Sequence, residues 1–249
     1  MIAATPAGLP RPRYLCAGDT GLVVEFGNEI SEDINRRVHD LARYVEERRL
    51  TGVVDLVPTY RSLLVTYDPL RTTISELEQA VAALEAELGT VERPPAKVVE
   101  IPTAYGGEFG PDLAFVAEHA KLHEDEVVRI HAGPDYLVYM MGFTAGFPYL
   151  GGMSPRIAAP RLKTPRTSIP AGSVGIAQQQ TGIYPADSPG GWQIIGRTPV
   201  RIFDPACDPP VAVEAGNYVR FMPIEGSAYQ AIEAQVRAGT YRLSIRVKQ

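Results

Sequence analysis

Cysteine is scarce in this chain. Cys16 and Cys207 lie far apart with no Cys-x-x-Cys spacing, which argues against a disulfide framework and against a cysteine-based zinc module. Long apolar runs are missing too: no window approaches the roughly 18 consecutive apolar residues that a membrane span needs. The leading MIAATPAGLPRPRY has no apolar core of secretory length, so a cytoplasmic location is expected. Basic residues are not in excess, 24 against 29 acidic for a net charge of −5, which argues against a general nucleic-acid surface. Familiar catalytic signatures fail one by one. Lys163-Thr164 ends like a phosphate loop but no glycine precedes it, so the backbone cradle is absent. Gly152-Met153-Ser154-Pro155-Arg156 lacks the final glycine of a nucleophile elbow. His123-Glu124 opens like a zinc-protease motif, but position 127 is Val. His119 and His123 can share a helix face, yet two histidines without a third ligand read as surface or cap residues. No metal site and no biotin-attachment Met-Lys pair is expected.

What is present is enough chain for one large domain or two small ones: 249 residues, 45% hydrophobic and 21% charged. The average conceals one segment unlike the rest. Gly142 to Trp192 holds four basic residues (Arg156, Arg161, Lys163, Arg166) and one acid, Asp187, so it is +3 while the remainder is −8. Those 51 residues also hold 9 of the 23 glycines and 7 of the 22 prolines. That segment is where a site is sought.

The first ninety residues read as mixed α/β. Leu22–Phe26, Val53–Val57 and Ser62–Tyr67 are strand signals, the last two joined by a turn containing Pro58. Ile30, Ile34, Val38, Leu41 and Val45 recur on one helical face, with Ser31 as hydroxyl cap and Glu32 and Asp33 in the first turn. A second helix carries Leu77, Val81, Leu84 and Leu88, with Ser75-x-x-Glu78 as a capping box and Gly89 as its C-terminal cap. With Val98–Ile101 as a last strand, the order suggests a ferredoxin-like layer. Arg93-Pro94-Pro95 is the linker, because adjacent prolines can neither continue a helix nor donate to a ladder. The expected domains are therefore 1–92, α+β, and 93–249, mainly β. In the second, Pro111–Ala120 and Glu124–Ala132 read as helices. Short strands are expected at Tyr136–Met140, Val174–Ala177, Gln193–Ile195, Val200–Phe203, Tyr218–Phe221 and Tyr241–Val247, the pattern of a barrel or sandwich. A helix capped by Ser227 interrupts them.

The Gly142–Trp192 block reads as a loop-rich surface held by proline and glycine. Phe143, Phe147, Tyr149, Tyr184 and Trp192 can build an apolar wall. Arg161, Lys163 and Arg166 can hold a carboxylate or phosphate. Gln178, Gln179, Gln180 and Thr181 can orient a planar amide. Ser188, Gly190 and Gly191 can present backbone N–H groups to an anion. Three readings fit this composition: a ligand site, a packed cap over a barrel end, or a docking surface. With no histidine and one acid in the block, it reads as part of a site rather than a self-sufficient catalytic set.

These residues carry a resemblance. GFTAGFPYLGG, then PRLKTPRTSIPAGSVGIA and QTGIYPADSPGGWQIIGRTP, resemble the allophanate hydrolase subunit 1 family, whose members are also called the B subunit of 5-oxoprolinase (PxpB) or the sporulation-kinase inhibitor KipI. Gly18-Asp19, Val57 to Ser62 and Tyr105 to Gly110 fit the same family, so the likeness covers nearly the whole chain. It implies an α+β N-terminal domain and a cyclophilin-like β-barrel. It also implies a subunit 2 (C) partner and a third component (A), which open 5-oxo-L-proline to L-glutamate with ATP, and Mg2+ only as MgATP. On residue chemistry within that reading, Arg166, Lys163, Gln180 and Tyr184 are the catalytic candidates. Arg161, Phe147, Tyr149, Thr181, Ser188, Gly190, Gly191 and Trp192 are the substrate-binding ones. Arg161 or Arg166 would take the substrate carboxylate, Gln180, Thr181 and Tyr184 would orient the amide, and Lys163 would offset phosphoryl charge. Two other readings come from the same resemblance: a regulatory inhibitor of a histidine kinase, and an allophanate hydrolase subunit in urea-amide metabolism.

Overall fold

A computed structural model describes residues 11–88 and 95–248. The chain divides into two compact units, Met1–Pro94 and Pro95–Gln249. The expected Gly89 cap and the Arg93-Pro94 part of the linker lie outside the described residues.

The first unit is a four-stranded antiparallel sheet with two helices. Its elements are β1 (Arg13–Cys16), β2 (Gly21–Glu25), α1 (Glu32–Arg48), β3 (Val53–Pro58), β4 (Ser62–Tyr67) and α2 (Ile74–Ala86), with sheet order β1-β2-β4-β3. Ile34, Val38, Leu41 and Val45 of α1 and Leu77, Val81 and Leu84 of α2 are buried with Leu22, Val24, Leu63 and Val65 of the sheet. The 3.6-residue period and the strand alternation thus meet in one core. Several expectations are corrected here. Val98–Ile101 is not the last strand of this sheet; the place beside β2 is taken by β1, whose Tyr14 opposes Val24. Ile30 lies before the helix and is exposed, and the Ser31 hydroxyl makes no capping hydrogen bond. The capping box is Thr73–Glu76 rather than Ser75–Glu78: Glu76 N donates to Thr73 Oγ1 at 3.3 Å and Thr73 N donates to Glu76 Oε2 at 2.9 Å. The same Ser/Thr-x-x-Glu spacing occurs two residues earlier, and there it satisfies the first free N–H groups of the helix.

The second unit comprises β5 (Lys97–Tyr105), α3 (Leu113–Ala120), α4 (Glu124–Ala132), β6 (Tyr136–Met141), β7 (Pro148–Gly151), β8 (Arg166–Ile169), β9 (Ser173–Ala177), β10 (Gln180–Ile183), β11 (Ser188–Gly190), β12 (Gln193–Arg197), β13 (Tyr218–Pro223), α5 (Gly226–Arg237) and β14 (Ser244–Val247). Among the described residues, seven strands close a barrel in the order β12-β9-β10-β7-β6-β13-β5, and β5 returns to β12 through Tyr105 and Gly196. β13 and β5 run parallel; the other neighbours are antiparallel. β14 adds to β5 outside the ring, and β8 with β11 forms a separate ribbon. Ile101, Val116, Val127, Val138, Leu150, Ile176, Ile195 and Phe221 share the main core.

The Gly142–Trp192 block is therefore less loop-like than its composition suggests, since it supplies β7 to β11. Its strand glycines make room for aromatic rings. A Cβ on Gly151 would lie 2.0 Å from the Tyr139 ring, and one on Gly190 would lie 2.4 Å from the Tyr184 hydroxyl. Elsewhere, Val200–Phe203 makes one isolated bridge, Phe203 to Val211, instead of a strand. The last strand starts at Ser244 rather than Tyr241, and α5 begins after Glu225, so Ser227 lies inside the helix.

Candidate active site

Phe147 is the hub of an aromatic cluster distinct from the barrel core. Its ring meets those of Phe143, Tyr149, Tyr184 and Trp192 edge to face, with centroids 5.5, 5.2, 5.4 and 5.7 Å away. Such contacts fix ring planes as well as burying area. Ile169, Ala177 and Ile194 complete the cluster. Phe143 stands at its rim, 61% exposed, with φ +62°, a conformation costly for a bulky side chain. Beside it, Thr144 Oγ1 is buried with no hydrogen-bond partner among the described residues.

Three cations from the block lie close to these rings in sequence or space. The Arg161 guanidinium sits 6.0 Å from the Trp192 ring centroid and forms no ion pair among the described residues. Leu162 N donates to Gly191 O at 2.7 Å, which ties this segment to the Gly190-Gly191 turn before Trp192. Lys163 follows, exposed to solvent. Arg166 is differently placed: its Nη2 donates to Asp112 Oδ1 at 2.7 Å and its Nη1 to Trp192 O at 3.4 Å. Asp112 Oδ2 in turn accepts from Ile194 N at 2.6 Å. Arg166 is thus committed to a protein carboxylate, while Arg161 is open. Burial raises the Tyr184 phenol to about 12 against the opposing pull of Arg161 and Arg166, so Tyr184 is a neutral donor at physiological pH.

The structure brings Phe147, Tyr149, Tyr184, Trp192, Arg161, Arg166, Gly190 and Gly191 together. It places the other candidates elsewhere. Ser188 is buried on β11, its hydroxyl donating to Ala186 O at 2.9 Å. Gln180 opens β10 opposite Ala177. Thr181, the next residue, points the other way, because side chains alternate along a strand. It is fully buried in the barrel, where it contacts His131.

Sequence reasoning misses that histidine. His131 Nδ1 lies 2.8 Å from Tyr105 Oη, and Nε2 lies 2.8 Å from Thr181 Oγ1. The Thr181 hydroxyl donates to Gly175 O at 3.0 Å, so Thr181 Oγ1 accepts from Nε2–H, and Nδ1 accepts the Tyr105 proton. Every polar atom of the chain of hydrogen bonds is satisfied by a neutral imidazole. Burial lowers His131 from 6.5 to about 3. A lone histidine near a helix end gives no pattern to find. Asp112 does leave a signal, an acid just before a helical run, which reads as a cap. It occupies the N-cap position but makes no capping bond, its carboxylate serving Arg166 and Ile194 N instead.

With this geometry in view, the comparisons decide the kinship. Residues 12–213 match the family model for the carboxyltransferase domain, subdomain C and D. The chain belongs to that family. It is 45% identical over 228 residues to the B subunit of 5-oxoprolinase from Bacillus subtilis, covering 88% of this chain and 95% of that protein. A conserved uncharacterized protein from Pyrococcus horikoshii has a crystal structure with 50% identity and a TM-score of 0.53, covering 87% of this chain and 100% of that one. The urea amidolyase of K. lactis, 22% identical, shares the fold with a TM-score of 0.77 over 97% of this chain and 17% of that one. The family resemblance carried most densely by the Gly142–Trp192 block therefore holds across the chain. Among the described residues, no group of three or more His, Cys, Asp or Glu side chains could hold a metal ion. No described helix is long and apolar enough to cross a membrane.

Proposed function

We propose that this chain is the B-type component of a 5-oxoprolinase, opening 5-oxo-L-proline to L-glutamate in a complex with a subunit 2 (C) and an A component. The observation that carries this reading is a coincidence of two findings. The chain is similar over most of its length to the B subunit of 5-oxoprolinase, and the motif-bearing block builds an aromatic wall beside one guanidinium free of any ion pair among the described residues. A flat five-membered lactam with a carboxylate suits such a surface. Arg161 takes the carboxylate in a two-pronged hydrogen bond. Phe147, Tyr149 and Trp192 pack on the ring and exclude water. Tyr184 O–H donates to the amide oxygen, where charge builds as the carbonyl is attacked. Arg166 is a positioning residue, since through Asp112 it fixes Trp192 and Ile194. ATP, with Mg2+, supplies the driving chemistry when bound to the complex. Lys163, exposed on the Arg161 segment, is the cation of this chain best placed to meet phosphoryl charge.

In the same reading the domain boundary falls near residue 92, the first unit is a ferredoxin-like layer and the second a cyclophilin-like barrel. The division of the chain at Pro94 and the closed ring of strands support this. A cytoplasmic complex follows from it. The test is reconstitution of the chain with the A and C components and measurement of ATP-dependent glutamate release from 5-oxoproline. Release that requires all three components is expected; none in the full mixture overturns the proposal. Because the fold is shared with a urea amidolyase, allophanate is the competing substrate, and stronger turnover of allophanate in the same mixture would replace 5-oxoproline by it.

A further inference from the structure

A recess lies on the barrel unit, lined in part by Ala171, Gly172 and Pro185 of the Gly142–Trp192 block. It is a cleft of about 230 Å³ between α5 and the segment that follows β12. Arg197, Thr198, Tyr229, Arg201 and Arg237 line it, with Glu233 as the acid. Its remaining walls include Val200 and Val236, so the recess is partly apolar.

The polar groups here are built in. Tyr229 is 6% exposed, its ring packed 4.6 Å from that of Phe109. Yet its hydroxyl makes no hydrogen bond among the described residues, although the residue lines the cleft. Thr198 is 2% exposed. Its Oγ1 accepts from Val200 N at 3.2 Å, and its own proton has no acceptor among the described residues. Arg197 commits Nε to Ala171 O at 3.0 Å, which sets the plane of the guanidinium and leaves both terminal nitrogens for a ligand. Arg201 and Arg237 are partly neutralised at the rim by Asp204 and Glu233, at 3.1 and 3.2 Å. Burial raises the Tyr229 phenol, with Arg197 opposing that shift, so the hydroxyl is a neutral donor near a guanidinium. The Tyr229 hydroxyl and the Thr198 proton are therefore available to donate to a ligand in the cleft.

We infer that this cleft is a binding site for a small carboxylate with a short apolar body, held by Arg197, Tyr229 and Thr198. An in-plane pair of terminal guanidinium nitrogens matches two carboxylate oxygens. The volume admits a ligand smaller than the drug-sized molecules that fill pockets of about 300 Å³ and more. A phosphate can take the same two-pronged contact, so the titrations below separate the two. This site does not depend on the assignment of the aromatic wall.

Titration calorimetry of the full chain with propionate, butyrate and inorganic phosphate tests the inference, followed by the same titrations of Arg197→Lys, Tyr229→Phe and Arg129→Ala, the last an exposed α4 residue outside both sites. At least one carboxylate probe is expected to bind. Arg197→Lys should weaken it by roughly ten-fold or more and Tyr229→Phe by roughly five-fold, the size of a charge-assisted hydrogen bond and a neutral one. Arg129→Ala should retain it. Tyr229→Phe keeps the ring on Phe109, so equal thermal midpoints for this variant and the parent separate lost binding from lost folding. The inference is overturned by three results: no heat with either carboxylate, binding that Arg197→Lys and Tyr229→Phe both leave unchanged, or binding of phosphate alone.

Discussion

Mild acid should destabilise the second unit through one residue, His131. In the folded chain its imidazole is fully buried and neutral, with Nε2–H given to Thr181 and Nδ1 accepting from Tyr105. Burial holds its pKa near 3, against 6.5 when exposed. The unfolded chain therefore binds a proton between these values and the folded chain does not. Stability is complete above pH 6.5 and falls as pH drops towards 3, by at most about 1.4 kcal/mol per pH unit. Between pH 7.5 and 5.0 the loss is roughly 2 kcal/mol, a large part of a typical domain's margin of about 5–15 kcal/mol. With a urea dependence of about 2 kcal/mol per molar, the midpoint should fall by about 1 M. The chain has a single tryptophan, Trp192, and it lies in this unit, so its fluorescence reports the relevant transition. Urea unfolding at pH 7.5 and 5.0 should show the shift in the parent chain. In His131→Gln, which is less stable at both pH values, the pH-dependent difference should shrink. An unshifted parent midpoint, or a His131→Gln chain with the parent's pH slope, refutes the reasoning.

Four further outcomes are expected. Arg161→Ala should raise KM for 5-oxoproline in the reconstituted complex by roughly ten-fold or more, with little change in the melting midpoint, as measured by steady-state kinetics and calorimetry. Arg166→Ala strands Asp112, a mostly buried carboxylate, and should cost about 1–3 kcal/mol in urea unfolding; Arg166→Lys should recover only part of it. Phe143→Gly removes a strained positive φ at an exposed position, so stability should hold or rise by up to about 1 kcal/mol while kcat/KM falls. Gly190→Ala drives a methyl group against the Tyr184 hydroxyl and Ile169 and should lower stability by about 1–3 kcal/mol, visible as a lower melting temperature.

Much of the fold is legible wherever one periodicity acts alone. The apolar stripe of α1 and the alternation of Ser62–Tyr67 stand out because each element buries one face. The errors cluster where a residue type serves two purposes. Glycines at 151, 182 and 190 look like loop punctuation, but in the structure they let aromatic rings lie against strands. The composition of β7, β10 and β11 accordingly reads as surface loop. The candidate site is legible as a set of aromatics and cations, but not in its division of labour. Nothing in the spacing of Arg161 and Arg166 distinguishes the open guanidinium from the one paired with Asp112, because that carboxylate arrives from 54 residues away. Thr181 and Gln180 are adjacent in sequence, and strand alternation sends them to opposite faces.

The parallel pairing of β13 with β5 bears on how the molecule is made. Lys97 N donates to Asn217 Oδ1 across 120 residues, and the ring closes only when β5 has met both β13 and β12. The first unit faces no comparable loop closure, since its strands all lie between Arg13 and Tyr67. Folding rates fall as contacts become more distant in sequence. On refolding from urea, the sheet of the first unit should thus gain its hydrogen-exchange protection early. The barrel, and with it the Trp192 signal, should follow in a slower phase, and until then the backbone edges of β5 remain open to wrong partners.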